Sequence, residues 1–137
     1  MATGLMSGKR GLVMGVANDK SIAWGIAQAC HEAGAALAFT YQGEALGKRV
    51  QPLAEQVGSD IVLPCDVTDE ASLDAVFAAL AERWGKLDFL VHAIGFSDKN
   101  ELRGSYTANT TAANFTQTML ISVYSFTAAA QRAERMM

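Results

Sequence analysis

Cysteine is scarce: Cys30 and Cys65 are the only two in 137 residues. That is too few for a disulfide framework, and they lack metal-ligand spacing, so neither a disulfide scaffold nor a metal site is expected. Such usage suits a reduced cytoplasm. An excess of positive charge is lacking too. Eleven Lys and Arg against fourteen Asp and Glu leave a net charge of −3, which gives no footprint for nucleic acid or an anionic membrane. No segment approaches membrane-spanning length. Lys9 and Arg10 precede an apolar stretch, but glycines break it and Asn18-Asp19-Lys20 ends it, which is wrong for a signal peptide. With 50% of residues hydrophobic and 18% charged, disorder is excluded. The length corresponds to one domain with a core of its own. A cytoplasmic protein is expected.

What is present is organised around the loop from Gly15 to Gly25. Before it, Gly11-Leu12-Val13-Met14 is a short apolar run bounded by glycines, which fits a strand buried on both faces. After it, Ile22, Ile26, Ala29, Cys30 and Ala33 recur at helical spacing until Gly34, which reads as a C-terminal glycine cap, and Ser21 stands where an N-cap belongs. A strand that turns into a helix start presents unpaired N–H groups with partial positive charge, the geometry that binds phosphate. Gly15 would permit the turn and a close backbone approach, and Gly25 would let the helix pack tightly on the sheet or the ligand. The spacing departs from G-x-G-x-x-G. Two readings therefore stand: the loop binds phosphate, or Gly15 merely turns the chain while Ser21 merely caps.

The rest of the chain repeats the strand-helix alternation. Ala36 to Tyr41 reads as a strand, and Glu44 to Val57 as a helix with Val50, Leu53, Ala54 and Val57 on one face. Pro52 is compatible with that helix only if the regular turns begin near it. Asp60 to Cys65 is a third strand. The following helix carries Leu73, Val76, Phe77, Leu80, Ala81 and Trp84 as one stripe, with Thr68 able to cap it and Gly85 ending it. Leu87 to His92 is a fourth strand. Ser97 to Thr111 is a polar loop of a length that is often functional, and a last helix from about Ala112 to Met137 carries Phe115, Met119, Val123, Phe126 and Ala130. Such alternation means βαβ units, right-handed crossovers and a parallel sheet with helices on both faces.

Four strand ends, near Gly15, Gln42, Asp66 and Gly95, then fall on one sheet edge, where an open parallel sheet binds its ligand. Gly15 and Ser21 would face a pyrophosphate. Gln42 lies about twenty residues beyond the glycine loop, where an acidic residue would meet an adenosine ribose. Asp66 can accept from an adenine amino group while the Val67 backbone lines the ring, and Gly95 leaves room for a nicotinamide ribose. Each has a bland reading as turn or cap. Together they indicate a dinucleotide site.

Gly15-Val16-Ala17 followed by Ser21-Ile22-Ala23-Trp24-Gly25-Ile26-Ala27, then Phe39-Thr40-Tyr41-Gln42, Cys65-Asp66-Val67, His92-Ala93-Ile94-Gly95-Phe96 and Ile121-Ser122-Val123-Tyr124-Ser125-Phe126, resemble the bacterial enoyl-acyl-carrier-protein reductases of type II fatty-acid synthesis. These are a divergent branch of the short-chain dehydrogenase/reductases, and the resemblance runs from Lys9 to the last residue. It implies a Rossmann-type sheet of order 3-2-1-4 and an NAD site lined by Gly15, Ser21, Ile22, Gln42, Asp66, Val67, Ala93, Ile94, Gly95 and Ile121. It also implies an acyl pocket bordered by Gly95, Phe96 and Ser97, an enoyl-acyl-carrier-protein substrate and a homo-oligomer formed through the 112–137 helix. Forms that prefer NADPH place basic residues just after the second strand; here Gln42-Gly43-Glu44 follows Tyr41, which implies NADH.

The departure from the family is as informative. Its catalytic tyrosine, with a lysine seven positions later, stabilises the charge that develops on the thioester carbonyl and holds the cofactor ribose. Tyr124 has Gln131 at that spacing and Tyr106 has Ala113. Tyr41 does have Lys48, but at the adenosine end of the sheet, which makes the spacing a coincidence. The resemblance therefore implies a single dinucleotide-binding domain over residues 1–137, truncated before its catalytic segment, with no catalytic residue in this chain. A carbonyl-reducing member of the wider superfamily and a non-catalytic dinucleotide-binding fragment are the alternatives. His92 is read as packing or hydrogen-bonding at a strand end, His31 as lying on the polar side of the first helix, Trp24 and Trp84 as core or interface, and Ser122 and Ser125 as bonding the preceding helical turn.

Overall fold

The computed structural model describes residues 4–137. Four strands, β1 (Arg10–Met14), β2 (Ala36–Tyr41), β3 (Val62–Pro64) and β4 (Phe89–His92), form one sheet of order β3-β2-β1-β4. All three pairings are parallel, with Leu12 opposite Ala38 and Leu90, and Phe39 opposite Val62. Leu12, Val13 and Met14 are wholly buried, as a central strand covered on both faces requires. The expected architecture and strand order are therefore observed. β3 is shorter than its apolar run, because only Val62 to Pro64 keep register with β2.

The two faces are covered by different helices. α1 (Ile22–Glu32) and α2 (Glu44–Gln56) pack Ala23, Trp24, Ala27, Val50, Leu53 and Ala54 with Val13, Leu37 and Phe39. On the other side, α3 (Glu70–Arg83) packs Leu73, Val76, Phe77 and Leu80 with Leu12 and Met14. The α2 face and most of the α3 stripe are as expected, although Ala81 is exposed. α1 buries a different face from the one its apolar spacing suggested. Trp24 is buried and stacks obliquely near Phe39, their ring centroids 6.4 Å apart, whereas Ile22 is 81% exposed. One indole buries more apolar surface than the displaced isoleucine. Pro52 sits well inside α2 rather than near its start. It lies on the exposed side, where water can satisfy the carbonyl that loses its partner.

The segment after β4 is less loop-like than its composition suggested. It holds a 3₁₀ turn (Lys99–Glu101) and a short helix, α4 (Tyr106–Asn109). The last helix is four pieces: α5 (Ala112–Met119), a π-helical turn (Leu120–Tyr124), α6 (Ser125–Ala133) and a 3₁₀ turn (Glu134–Met136). α6 buries Ser125, Ala128, Ala129 and Ala133 in the core shared with α3. The expected apolar face points the other way, with Phe115, Val123 and Phe126 each about half exposed. Small side chains let the helix approach the sheet closely, so the bulky ones are left outside. Arg132 fastens the contact from the rim, its Nε 2.7 Å from an Asp74 carboxylate oxygen.

Candidate dinucleotide site

Because the strands are parallel, their C-terminal ends share one edge, and a cleft of about 450 Å³ runs along it. It crosses the point where the chain, having moved outward from β1 through β2 to β3, returns to place β4 on the other flank of β1. Gly15, Gln42, Asp66, Val67, Ala93, Ile94, Gly95, Phe96 and Ile121 all line this cleft. Residues up to 106 positions apart in sequence, Gly15 and Ile121, thus share one wall. Ser21, Ile22 and Ser97 lie outside its lining.

Gly15 has φ of +113°, and a Cβ there would sit 2.1 Å from the Ala93 carbonyl oxygen. The close approach that needs glycine is therefore made by the end of β4 rather than by a ligand alone. A Cβ at Gly25 would meet nothing within 4 Å outside its own helix backbone, so the tight packing it would permit is not onto the sheet, and the space beside it is open to a ligand. Ser21 occupies the N-cap position of α1 without capping it. Its Oγ accepts instead from the N–H groups of Ala17 at 2.9 Å and Asn18 at 3.1 Å. With both lone pairs used, the hydroxyl retains its own proton for an acceptor. The N–H groups of Ile22 and Ala23 open α1 with no backbone acceptor among the described residues. Donors of this kind, backed by the helix dipole, suit a phosphate.

At the far end, Asp66 uses Oδ1 to accept from the Thr68 amide at 2.9 Å and the Thr68 hydroxyl at 2.7 Å. This explains why Thr68 does not cap α3; Asp69 does, accepting from the Ala71 amide. The second oxygen of Asp66 has no hydrogen bond among the described residues and is available to an amino group. Gln42 is exposed at the end of β2. Opposite, a Cβ on Gly95 would find only the Ser122 hydroxyl, 3.7 Å away, so the missing side chain leaves open space in the cleft wall. These features fit a dinucleotide: phosphate donors at the start of α1, which Ser21 ties to Ala17 in the cleft wall, a free carboxylate oxygen at Asp66 and a side-chain-free hollow at Gly95.

Sequence reasoning did not assign to the site Val16, Ala17, Thr40, Tyr41, Leu46, Cys65, Thr68 or Gln117, which also line the cleft. Thr40, Tyr41 and Cys65 flank strand ends already implicated, so adjacency could have found them. Leu46 and Gln117 reach in from α2 and α5, and only the tertiary fold brings them there. Cys65 is buried, and that burial pushes its thiol pKa up. His92 forms a hydrogen bond between Nε2 and the Ser125 Oγ at 2.7 Å and meets Phe126 edge-on, in keeping with a packing role. Ser125 also donates to the Ile121 carbonyl, as expected, but Ser122 does not bond the preceding turn; it bonds the backbone of Phe96. Tyr41 packs over Gly47, where a Cβ would lie 2.7 Å from the ring, and shares with Lys48 a hollow on the flank of α2. Among the described residues, no group of three His, Cys, Asp or Glu could hold a metal ion.

Known proteins share both this sequence and this fold. Enoyl-[acyl-carrier-protein] reductase [NADH] 2 of Rhizobium meliloti is 68% identical over 134 residues, covering 98% of this chain and 50% of its own length. The crystal structure of FabI from Candidatus Liberibacter asiaticus superposes with a TM-score of 0.96 at 58% identity, covering all of this chain and 52% of that one. An enoyl-(acyl-carrier-protein) reductase from Anaplasma phagocytophilum, determined in complex with NAD, gives 0.94 at 56% identity and covers all of this chain and 53% of that one. The chain thus spans about half the length of the curated relatives it matches. A family model described as enoyl-(acyl carrier protein) reductase matches residues 15–137, and the chain belongs to that family.

Proposed function

We propose that this chain provides the dinucleotide-binding part of an NADH-dependent enoyl-acyl-carrier-protein reductase in fatty-acid synthesis. The observation that carries the reading is the single cleft along the strand ends, which joins the Gly15 loop, Gln42, Asp66 and Gly95. The R. meliloti relative is named as an NADH enzyme and the A. phagocytophilum neighbour was solved with NAD, and both support it.

When bound, NADH supplies the hydride that reduces the enoyl thioester double bond. The α1 amides and the Ser21 hydroxyl hold the pyrophosphate. Asp66 receives the adenine amino group, Val67 lines the ring, and Gln42 meets the adenosine ribose. Ala93, Ile94 and Ile121 exclude water from the nicotinamide end, which Gly95 keeps open. Gln42, Gly43 and Glu44 follow β2 without a basic residue for a 2′-phosphate, which favours NADH over NADPH. Phe96 and Ser97 border the acyl chain of an enoyl-acyl-carrier-protein substrate. The half-exposed Phe115, Val123 and Phe126 support assembly into a homo-oligomer through the 112–137 helix. No described helix is long and apolar enough to cross a membrane, in keeping with a cytoplasmic enzyme.

The only tyrosine in these 137 residues with a lysine at the family's catalytic spacing is Tyr41, with Lys48, and that pair stands at the adenosine end of the sheet, away from the nicotinamide. We therefore expect NADH binding without turnover by this chain alone. Fluorescence titration with NADH beside an enoyl-thioester reduction assay tests both halves of the expectation. Turnover would show that the catalytic pair has been misassigned, and an absence of binding would remove the functional reading.

A further inference from the structure

The segment that leaves β4 at the cleft, Ile94 to Ser97, makes no backbone-to-backbone hydrogen bond among the described residues. Its hold comes instead from side chains on one helical face. Asn114, Thr118, Ser122 and Ser125, spaced four, four and three residues apart, lie on that face of α5, the π-helical turn and α6. They meet the outgoing segment in reverse order. Ser125 spends its proton on the Ile121 carbonyl and accepts from His92 Nε2, which fixes the histidine tautomer. Ser122 Oγ accepts the Phe96 N–H at 3.0 Å and donates to the Phe96 carbonyl at 3.3 Å. Thr118 Oγ1 and Asn114 Nδ2 donate to Ser97 Oγ at 3.1 and 3.0 Å, and Asn114 Oδ1 accepts the Asp98 N–H at 3.1 Å.

One hydroxyl thus satisfies both backbone groups of Phe96, in a residue that is 49% exposed and that water would otherwise solvate. It does so from a π-helical turn, a rare distortion that recurs at functional sites. The same turn presents Ile121 to the cleft. Two facing elements of the wall, Gly95–Phe96 and Ile121, are therefore joined through Ser122.

We propose that Ser122 is a positioning residue that fixes the Gly95–Phe96 wall, so that it governs binding of the nicotinamide half of a dinucleotide and not the adenosine half. This rests on the dinucleotide reading above. Gln42 and Asp66, at the other end of the cleft, make no hydrogen bond with the stripe, which gives the proposal its test. Ser122→Ala should weaken NADH about fivefold, the loss of a modest hydrogen-bond pair, and leave ADP-ribose affinity within about twofold. Ser122→Thr, which keeps the hydroxyl, should restore NADH binding. Amide exchange at Phe96 should quicken in Ser122→Ala and remain slow at Leu12 and Val13, which report that the core is intact. Equal losses for NADH and ADP-ribose, or an unchanged NADH affinity, would overturn the proposal alone. A wild-type chain that binds neither ligand would overturn the dinucleotide reading and this proposal with it.

Discussion

At the scale of single residues, Gly15 and Asp66 show how little slack the cleft has. Adding a methyl group at Gly15 forces two costs at once, a side chain at φ +113° and a Cβ 2.1 Å from the Ala93 oxygen. Gly15→Ala should lower unfolding free energy by about 2–4 kcal/mol, measurable by urea denaturation, since backbone strain and a backbone clash add. Asp66 has a divided carboxylate. One oxygen organises the turn at Thr68 and the other is free. Asp66→Asn can keep the turn acceptor while replacing the free oxygen with a donor. It should therefore reduce NADH affinity about tenfold with little change in stability, a separation that calorimetry and thermal unfolding read independently. Gly15 also shows what the sequence could and could not disclose. A glycine after an apolar run signals a tight turn, but nothing local says that the crowding atom belongs to Ala93, 78 positions later.

At the scale of elements, β4 and α6 are joined by the His92–Ser125 hydrogen bond. Burial pushes the His92 pKa below 6.5, and the opposing effect of its own backbone carbonyl is smaller. The unfolded chain therefore binds a proton more readily than the folded one. The stabilisation is full above pH 6.5 and is lost as pH falls through the lower folded-state pKa. Thermal midpoints should decline across that interval, and His92→Gln, which keeps a donor for Ser125 but does not titrate there, should flatten the decline. The elements also separate what was legible in the sequence from what was not. α2 and α3 have dense aliphatic stripes, and period alone located most of their buried faces. α1 and α6 both bury alanines, α1 beside Trp24, whose indole outweighs Ile22, and α6 beside Ser125, where closeness of packing outweighed side-chain hydrophobicity. A π-helical turn inside an apolar helix leaves no periodic signature, so the stripe that ties this turn to Phe96 and α5 to Ser97 and Asp98 emerged only in three dimensions.

At the scale of the whole molecule, the parallel sheet was legible from the alternation of strands and helices, its strand order came from the family resemblance, and the cleft followed from where parallel strands end. The outer face of the last helix remains uncovered. Phe115, Met119, Val123 and Phe126 are between 43% and 52% exposed, an apolar row that favours association. Sedimentation at micromolar concentration should show an oligomer, and the double substitution Val123→Asp with Phe126→Asp should shift it to monomer without unfolding, since neither residue is buried. A monomeric wild-type chain would remove that assembly surface. The central claim concerns the cleft itself and is tested most directly by a nitrogen-15 NMR titration of this 14.6 kDa chain with NADH. Saturable shifts are predicted for the amides of Gly15, Ala17, Gln42, Asp66 and Gly95, with none at Gln51 on the α2 flank. No saturable shifts, or shifts confined to that flank, would contradict it.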